Sequence, residues 1–551
     1  MLLLTGPAGS GKTARVLREF RDALRTRRVT PRLLVPTATL SEHLRNELAR
    51  DGAVFRSKSV STLAEFAKEL APTLTVVDSG HFHLMVEDAV LRLNRPEFHK
   101  VRELAGVHAR LAGTIASLDA AGCTPRLLAR VPLELASFRN AIVAVWEDVE
   151  RQMRARDEVT RGAQLRSLAA ALKTAAVPDR VWVDGFAQLS PPEIDLLCAL
   201  GARTDLTLTL PDEGVPPQLR TTLLSRGFRE EQLTGARTPD EVFVVPETAD
   251  RETEEIARRI LAAARAGTPF RDMGVILRQP AKYLPLLRGT FERFGIPAHF
   301  YFSEPLAMHP AGRLLAGVTE ALLGGWDHEQ TLGLLRLIPA VGTSNALDIL
   351  EIKMAETLPG RGLALLEQRA SGRSLQRVLQ QLRALEAWLN ARLTPEAWAG
   401  NFATLPALFW PGYLTDRLAP EEVDRHRDLA AGIRAFLEAI ASAAWWPTDA
   451  PPMRLSEFWR AAHALIRLTS VTPRNRSRNV VPVISAYEAR QWDLSLAFVC
   501  GLVEKEFPAQ NARDPFLPDP ALRALSSFGV SMRTAADKDA EEFGLFQAVR
   551  E

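Results

Sequence analysis

Cysteine is scarce in this sequence: Cys123, Cys198 and Cys500 are the only three in 551 residues, and they stand far apart. That spacing excludes the close ligand sets of zinc and iron–sulfur sites within this stretch and leaves buried thiols as the simplest reading. Long apolar runs are missing too. None approaches the ~18 residues that a membrane span needs, so no membrane association is expected. The first strand begins at Leu2, which leaves no room for a signal peptide and makes the cytoplasm the expected compartment. Net charge is small, only +2, so a nucleic-acid surface would have to come from local clusters of arginine, the residue best suited to phosphate contacts. Nor is there a bias toward disorder: 46% hydrophobic and 24% charged residues are the proportions of an ordinary globular chain. Its length predicts three or four domains or sub-domains.

What is present is concentrated at the start. Leu2-Leu3-Leu4 reads as a strand, Gly6-Pro7-Ala8-Gly9-Ser10-Gly11-Lys12-Thr13 follows, and a helix runs from Ala14 to about Leu24. The pattern G-x-x-x-x-G-K-[ST] between a strand and a helix is the phosphate-cradling P-loop. Its glycines let backbone N–H groups turn toward phosphate oxygens, and the helix start adds the positive end of a dipole. Lys12 is expected to neutralise the β- and γ-phosphates of ATP, and the Thr13 hydroxyl to ligate Mg²⁺.

The βα rhythm of a parallel sheet continues beyond this loop. Arg32–Val35 reads as a strand, with Pro36-Thr37-Ala38-Thr39 opening a helix; Val54–Val60 reads as a third strand, with Ser61 or Thr62 capping the next helix. From about 75 to 174 the period becomes helical, and the many arginines there read chiefly as a solvated, ion-paired face. Arg180–Asp184 is a hydrophobic strand ending in a carboxylate, where the second magnesium ligand of a P-loop enzyme belongs, and Ser190-Pro191-Pro192-Glu193 is a helix-capping signal. A strand Leu206–Leu210 precedes a loop rich in Pro, Gly and Arg that leads to a domain junction near residue 240.

A second α/β domain is expected to open with the strand Val242–Val245, followed by a helix over 250–264 and strands at Met273–Leu277 and Ala298–Phe302. Residues 305–471 again read as helical, with Trp388, Trp398, Phe409, Trp410, Trp445, Trp446 and Trp459 as core rather than base-stacking surface. Strands return at Val480–Ser485 and Leu496–Cys500. The basic turn Thr472–Asn479 carries Arg474, Arg476 and Arg478, which suit a phosphate backbone as well as they suit a solvated loop. The chain stops in what reads as the middle of a helix, 538–551, the mark of a truncated product.

These blocks, in this order, resemble the UvrD-like superfamily 1 helicases, and most closely the AddB-type subunit of ATP-dependent helicase–deoxyribonuclease complexes. Gly6–Thr13 resembles the first helicase motif and Pro36–Thr39 the segment that touches single-stranded DNA. Val181–Gly185 resembles the Walker B position, and Arg278 the motif IV arginine that faces the γ-phosphate. Ser485-Ala486-Tyr487-Glu488-Ala489-Arg490-Gln491-Trp492-Asp493 resembles motif V, and Glu541–Phe546 the opening of motif VI.

The resemblance implies an α/β fold of two RecA-like P-loop NTPase domains with parallel sheets, each interrupted by an all-helical insertion. The first domain would comprise 1–74 and 175–238 with its insertion at 75–174. The second would comprise 239–304 and 472–551 with its insertion at 305–471. It also implies ATP and Mg as cofactors, the metal held by Thr13 and Asp184, and nucleotide contacts from Gly6 to Thr13 and from Arg278. DNA contacts would come from Thr37 and Thr39, and the partner would be an AddA-type helicase–nuclease.

Departures from the family pattern weigh on its activity. Active members carry Asp-Glu-x-x-Gln at Walker B, whereas this chain reads Asp184-Gly185-Phe186-Ala187-Gln188, which lacks the glutamate that activates water. The Thr-x-His and Lys-Gly-Leu-Glu of motif V are replaced as well, the adenine-reading segment has no room before Gly6, and the motif VI arginine and a C-terminal iron–sulfur nuclease would lie beyond residue 551. The expected protein is therefore a DNA-guiding subunit with weak or absent hydrolysis. A working translocase using another carboxylate, and a scaffold with a vestigial P-loop, are the alternatives.

Overall fold

In this computed structural model the described residues are 1–26, 29–134, 136–172, 176–212, 214–235, 240–356, 360–411, 423–445, 451–472, 479–489, 492–510 and 514–550. They form two compact units: residues 1–78, 85–301 and 477–551 make the first, residues 79–84 and 302–476 the second.

Two large all-parallel sheets build the first unit, beside a short parallel pair of Thr75–Val76 with Glu158–Val159. One has six strands, β1 (Leu2–Gly6), β2 (Pro31–Val35), β3 (Val60–Thr62), β4 (Arg180–Val183), β5 (Asp205–Pro211) and β6 (Arg229–Gln232), in the spatial order β3-β2-β4-β5-β1-β6. Helices α1 (Lys12–Arg25), α2 (Ala38–Arg50), α3 (Leu63–Leu70) and α4 (Pro191–Gly201) follow their strands, as parallel pairing requires a crossover. Apolar strand residues meet helix residues in the core: Val16, Leu17 and Phe20 of α1 pack with Leu4, Leu33, Val35 and Trp182, and Phe20 meets Trp182 edge-on at 5.6 Å. Thr62 starts α3 through a reciprocal capping box with Glu65. Glu193 accepts from the Ser190 amide and hydroxyl, both at 2.9 Å, at the start of α4.

Between α3 and β4 the chain is mostly helical, at Ser79–Leu93, Ala105–Ala120, Ala136–Arg154 and Arg161–Ala171. Arginines there pair with acids as the sequence suggests: Arg92 and Arg151 converge on the buried Asp148, and Arg166 lies 3.1 Å from Asp119.

The second sheet holds β7 (Met273–Leu277), β8 (Ala298–Phe300), β9 (Val481–Ser485) and β10 (Leu496–Cys500) in the order β8-β9-β7-β10. Helices α5 (Ala249–Arg265), α6 (Pro280–Phe294), the single turn α7 (Ala486–Ala489) and α8 (Ala535–Arg550) accompany it.

Three expectations need correction. Val242–Val245 is not a strand; it runs unpaired with its four apolar side chains between 45% and 94% exposed. The neighbouring Glu241 is bound in two-pronged fashion to Arg550 of α8 at 2.7 and 2.9 Å, which anchors the segment to a helix rather than to a sheet edge. The third strand starts only at Val60; Val54 is solvent-exposed and a 3-10 turn fills 57–59. Finally, β6, whose sequence Arg-Glu-Glu-Gln has no apolar residue, pairs in parallel with β1. Side chains hold it there, Glu230 accepting from Thr5 and Glu231 from Arg15.

The second unit is a helical body. Trp398, Phe402, Phe436 and Phe458 are fully buried in one apolar cluster that also takes in Phe409 and Trp459, with Trp388 and Trp410 packed against it. Trp398 donates its indole N–H to the Met453 carbonyl at 3.0 Å. Trp446 lies outside the described residues.

Candidate functional site

β1 ends at Gly6 and α1 begins at Lys12, so the loop between them is fixed at both ends. Only glycine fits at position 6: its φ is 152°, and a Cβ there would stand 2.6 Å from the Leu233 carbonyl oxygen and 2.8 Å from Ser10 Oγ. Gly11, at φ 86°, turns the chain into α1. The Lys12 ammonium donates to the carbonyls of Gly6 and Pro7 at 2.7 and 2.6 Å and to Ser10 Oγ at 3.1 Å. A cation, a helix start and a ring of backbone groups thus converge on one concave loop, the chemistry of an anion cradle.

Asp184 follows β4 and is 1% exposed. Thr209 donates to its Oδ1 at 2.6 Å, while Oδ2 is buried without a hydrogen-bond partner. Burial raises its pKa above the usual carboxylate range, opposed by the hydroxyls of Thr209 and Thr13 and by the charge of Lys12. A buried carboxylate oxygen with spare capacity beside Lys12 and Thr13 fits a divalent cation bound to a phosphate. The next residue, Gly185, has φ 87° and donates its N–H to Thr209 Oγ1 at 3.4 Å. A glutamate in that backbone conformation would be strained.

The loop and Asp184 open onto a cleft of about 1520 Å³ between the two sheets, lined also by the 240–249 segment, α5 and β10. It brings in carboxylates that sequence reasoning did not single out. Glu47 is bound to Arg21, Glu241 to Arg550, Glu252 to Tyr283 Oη and the Gly501 amide, and Glu255 to Arg258 and Arg259. Each of these four is engaged with a donor of its own; Asp240, Glu247 and Asp493 line the cleft as well.

Arg278 is not among the described residues lining this cleft. Its guanidinium grips the nearly buried Glu542 at 2.9 and 2.7 Å, Tyr487 Oη donates to the same carboxylate at 2.7 Å, and burial of Glu542 is outweighed by these donors, which lower its pKa. Withdrawing Arg278 toward a nucleotide would leave that charge unpaired.

Thr37 and Thr39 stand at the start of α2. Thr37 Oγ1 accepts from the Leu40 amide, capping the helix, and donates to Glu488 across the seam between the two sheets at 3.4 Å; Thr39 also bonds to Glu488. Beside them His43 stacks on Trp492 at 3.9 Å, and Trp492 meets Tyr301 edge-on at 5.1 Å. Gln188 donates to Glu541 of α8 at 2.8 Å. Arg474, Arg476, Arg478, Arg490 and Gln491 lie outside the described residues.

Fold and cleft define an α/β protein with two parallel-sheet lobes and a glycine-lysine anion cradle on one of them. No family model matches the chain. It is 27% identical over 430 residues to the B-type subunit of the ATP-dependent helicase/deoxyribonuclease of Moorella thermoacetica, covering 63% of this chain and 36% of that protein. Identity is 25% over 421 residues to the protein of the same name from Desulforudis audaxviator, again 63% and 36%, and 23% over 410 residues to that of Bacillus thuringiensis, 59% and 34%. The AddB-type resemblance read from the motifs is therefore supported by homologues: the chain is similar to subunits B of ATP-dependent helicase/deoxyribonucleases. The match spans about a third of the length of those relatives. No described helix is long and apolar enough to cross a membrane.

Proposed function

We propose that this chain is an ATP- and DNA-binding part of a helicase–deoxyribonuclease subunit that serves double-strand-break repair by recombination, guiding or scanning one DNA strand while hydrolysing ATP weakly or not at all. Its partner in this reading is an AddA-type helicase–nuclease. The observation that carries the reading is the pairing of an intact cradle, Lys12 and its glycine loop, with a buried, half-satisfied Asp184 that is followed by Gly185.

In this reading the loop N–H groups and Lys12 bind the β- and γ-phosphates, and Thr13 with Asp184 holds Mg²⁺. Bound Mg-ATP supplies a polarised γ-phosphoryl group. What the chain lacks at Gly185 is a carboxylate to take a proton from water, a loss that typically costs orders of magnitude in rate. Four neighbouring carboxylates, Glu47, Glu241, Glu252 and Glu255, are held by arginines, a tyrosine and a backbone amide, which disfavours them as a substitute base; Asp240, Glu247 and Asp493 also line the cleft. Thr37 and Thr39 are the phosphate-contacting hydroxyls of the DNA strand, with Arg474, Arg476 and Arg478 as further contacts.

Equilibrium binding of a fluorescent ATP analogue tests the nucleotide half. Lys12→Ala is expected to weaken binding at least about tenfold, the scale of a lost charge-assisted contact. Equal binding by the natural chain and the variant would reject the cradle.

A further inference from the structure

Glu488 is an anion seated in an anion site. Thr37 and Thr39, at the amino end of the 13-residue helix α2, both bond to its carboxylate, and helix starts favour negative charge. The carboxylate comes from the other sheet's side of the seam. Ser485 Oγ accepts from the Glu488 amide at 3.3 Å, which fixes the α7 turn so that Tyr487 binds Glu542 within its own lobe while Glu488 reaches across. Burial opposes the charged form and raises the Glu488 pKa, and the two threonine hydroxyls pull it back. Among the neighbouring acids, Glu42 acts together with Glu488 on Tyr301 of the same seam, against Arg50. A second anion brought to Thr37 and Thr39 would meet Glu488 within hydrogen-bond reach of the same donors.

Resting on the DNA-binding reading above, we infer that Glu488 is a resident competitor for the Thr37/Thr39 site, which a phosphate of single-stranded DNA must displace in order to bind there. The residue is a gate on strand affinity. It has no part in nucleotide chemistry, since the cradle at Lys12 and Asp184 uses none of these groups. Its charge makes strand engagement weak by default and keeps the site closed to free phosphate as well as to DNA. Opening it requires the α7 turn to withdraw or the carboxylate to be neutralised.

The test is anisotropy titration of a fluorescein-labelled oligothymidylate with the natural chain, Glu488→Gln and Glu488→Ala, at several salt concentrations. Removing the competing charge is expected to tighten binding about tenfold at low salt, the scale of a relieved like-charge contact. The salt dependence should steepen, because the surface facing the strand then carries one negative charge fewer and its net attraction for the phosphates is greater. Adding Thr37→Val and Thr39→Val to Glu488→Gln should abolish the gain. ATP-analogue affinity should stay constant, and a merely structural role for Glu488 would instead lower the melting temperature and weaken DNA binding. Equal affinity of the natural chain and both variants, or a gain that survives loss of the threonines, would overturn this inference and leave the DNA-binding reading intact. No binding by any of the proteins would overturn both.

Discussion

His43 sits in the seam against the Trp492 ring, and burial, aided by Arg50, lowers its pKa to about 4. Glu47 stands 3.9 Å from its Nε2, yet burial pushes that carboxyl toward neutrality as well, so it does not hold the imidazole charged. A depressed histidine costs stability on acidification: the unfolded chain takes up the proton below about pH 6.5 while the native ring refuses it until near pH 4. The stabilisation is present above pH 6.5 and is lost as pH falls toward 4, by at most about 3 kcal/mol. His43→Phe keeps the ring and removes the titration, so its urea midpoint should fall less than that of the natural chain between pH 7 and pH 4.5. Parallel acid limbs would contradict the assignment. At this scale the sequence was most legible in the first loop and at Asp184, where the residue types themselves, glycines with a lysine and a carboxylate closing a strand, suggest the chemistry. The engagement of Arg278 was not legible, because its partner Glu542 is 264 positions away and nothing local to either residue announces the pair.

Elements follow local signals where those signals are chemical rather than compositional. Thr62 and Glu65 form the capping box that their spacing announces, with Thr62 N–H donating at 2.9 Å and Glu65 N–H at 3.1 Å. Thr62→Ala should destabilise the first unit by about 1 kcal/mol, read as a drop in the urea midpoint, while Ser at the same position should restore it; an unchanged midpoint for the alanine variant would mean that packing alone sets the start of α3. Strands were harder. Val242–Val245 has strong β-propensity, but a strand exists only when an edge accepts its hydrogen bonds, and the clamp of Glu241 on Arg550 holds the segment elsewhere. β6 shows the converse, a polar tetrapeptide made into an edge strand by the pairing of Glu230 and Glu231 with Thr5 and Arg15. Long helices were read correctly, since a 3.6-residue period over many residues carries its own evidence.

For the molecule as a whole, the two parallel sheets and the interleaved helical stretches were legible from the alternation of period along the chain. The cleft between the sheets was not, because its lining is assembled from segments remote in sequence, the first loop, Asp184, the 240–249 segment and β10 among them. That cleft carries the central claim, a nucleotide site built to bind and poorly equipped to hydrolyse. The most direct test is steady-state ATP hydrolysis by this chain with saturating single-stranded DNA, run beside equilibrium ATP binding, with Lys12→Ala as the background. Tight, Lys12-dependent binding with turnover no greater than the Lys12→Ala background is the predicted result. Brisk DNA-stimulated hydrolysis that Lys12→Ala abolishes would contradict it, and would mean that a carboxylate other than one at position 185 activates water in this cleft.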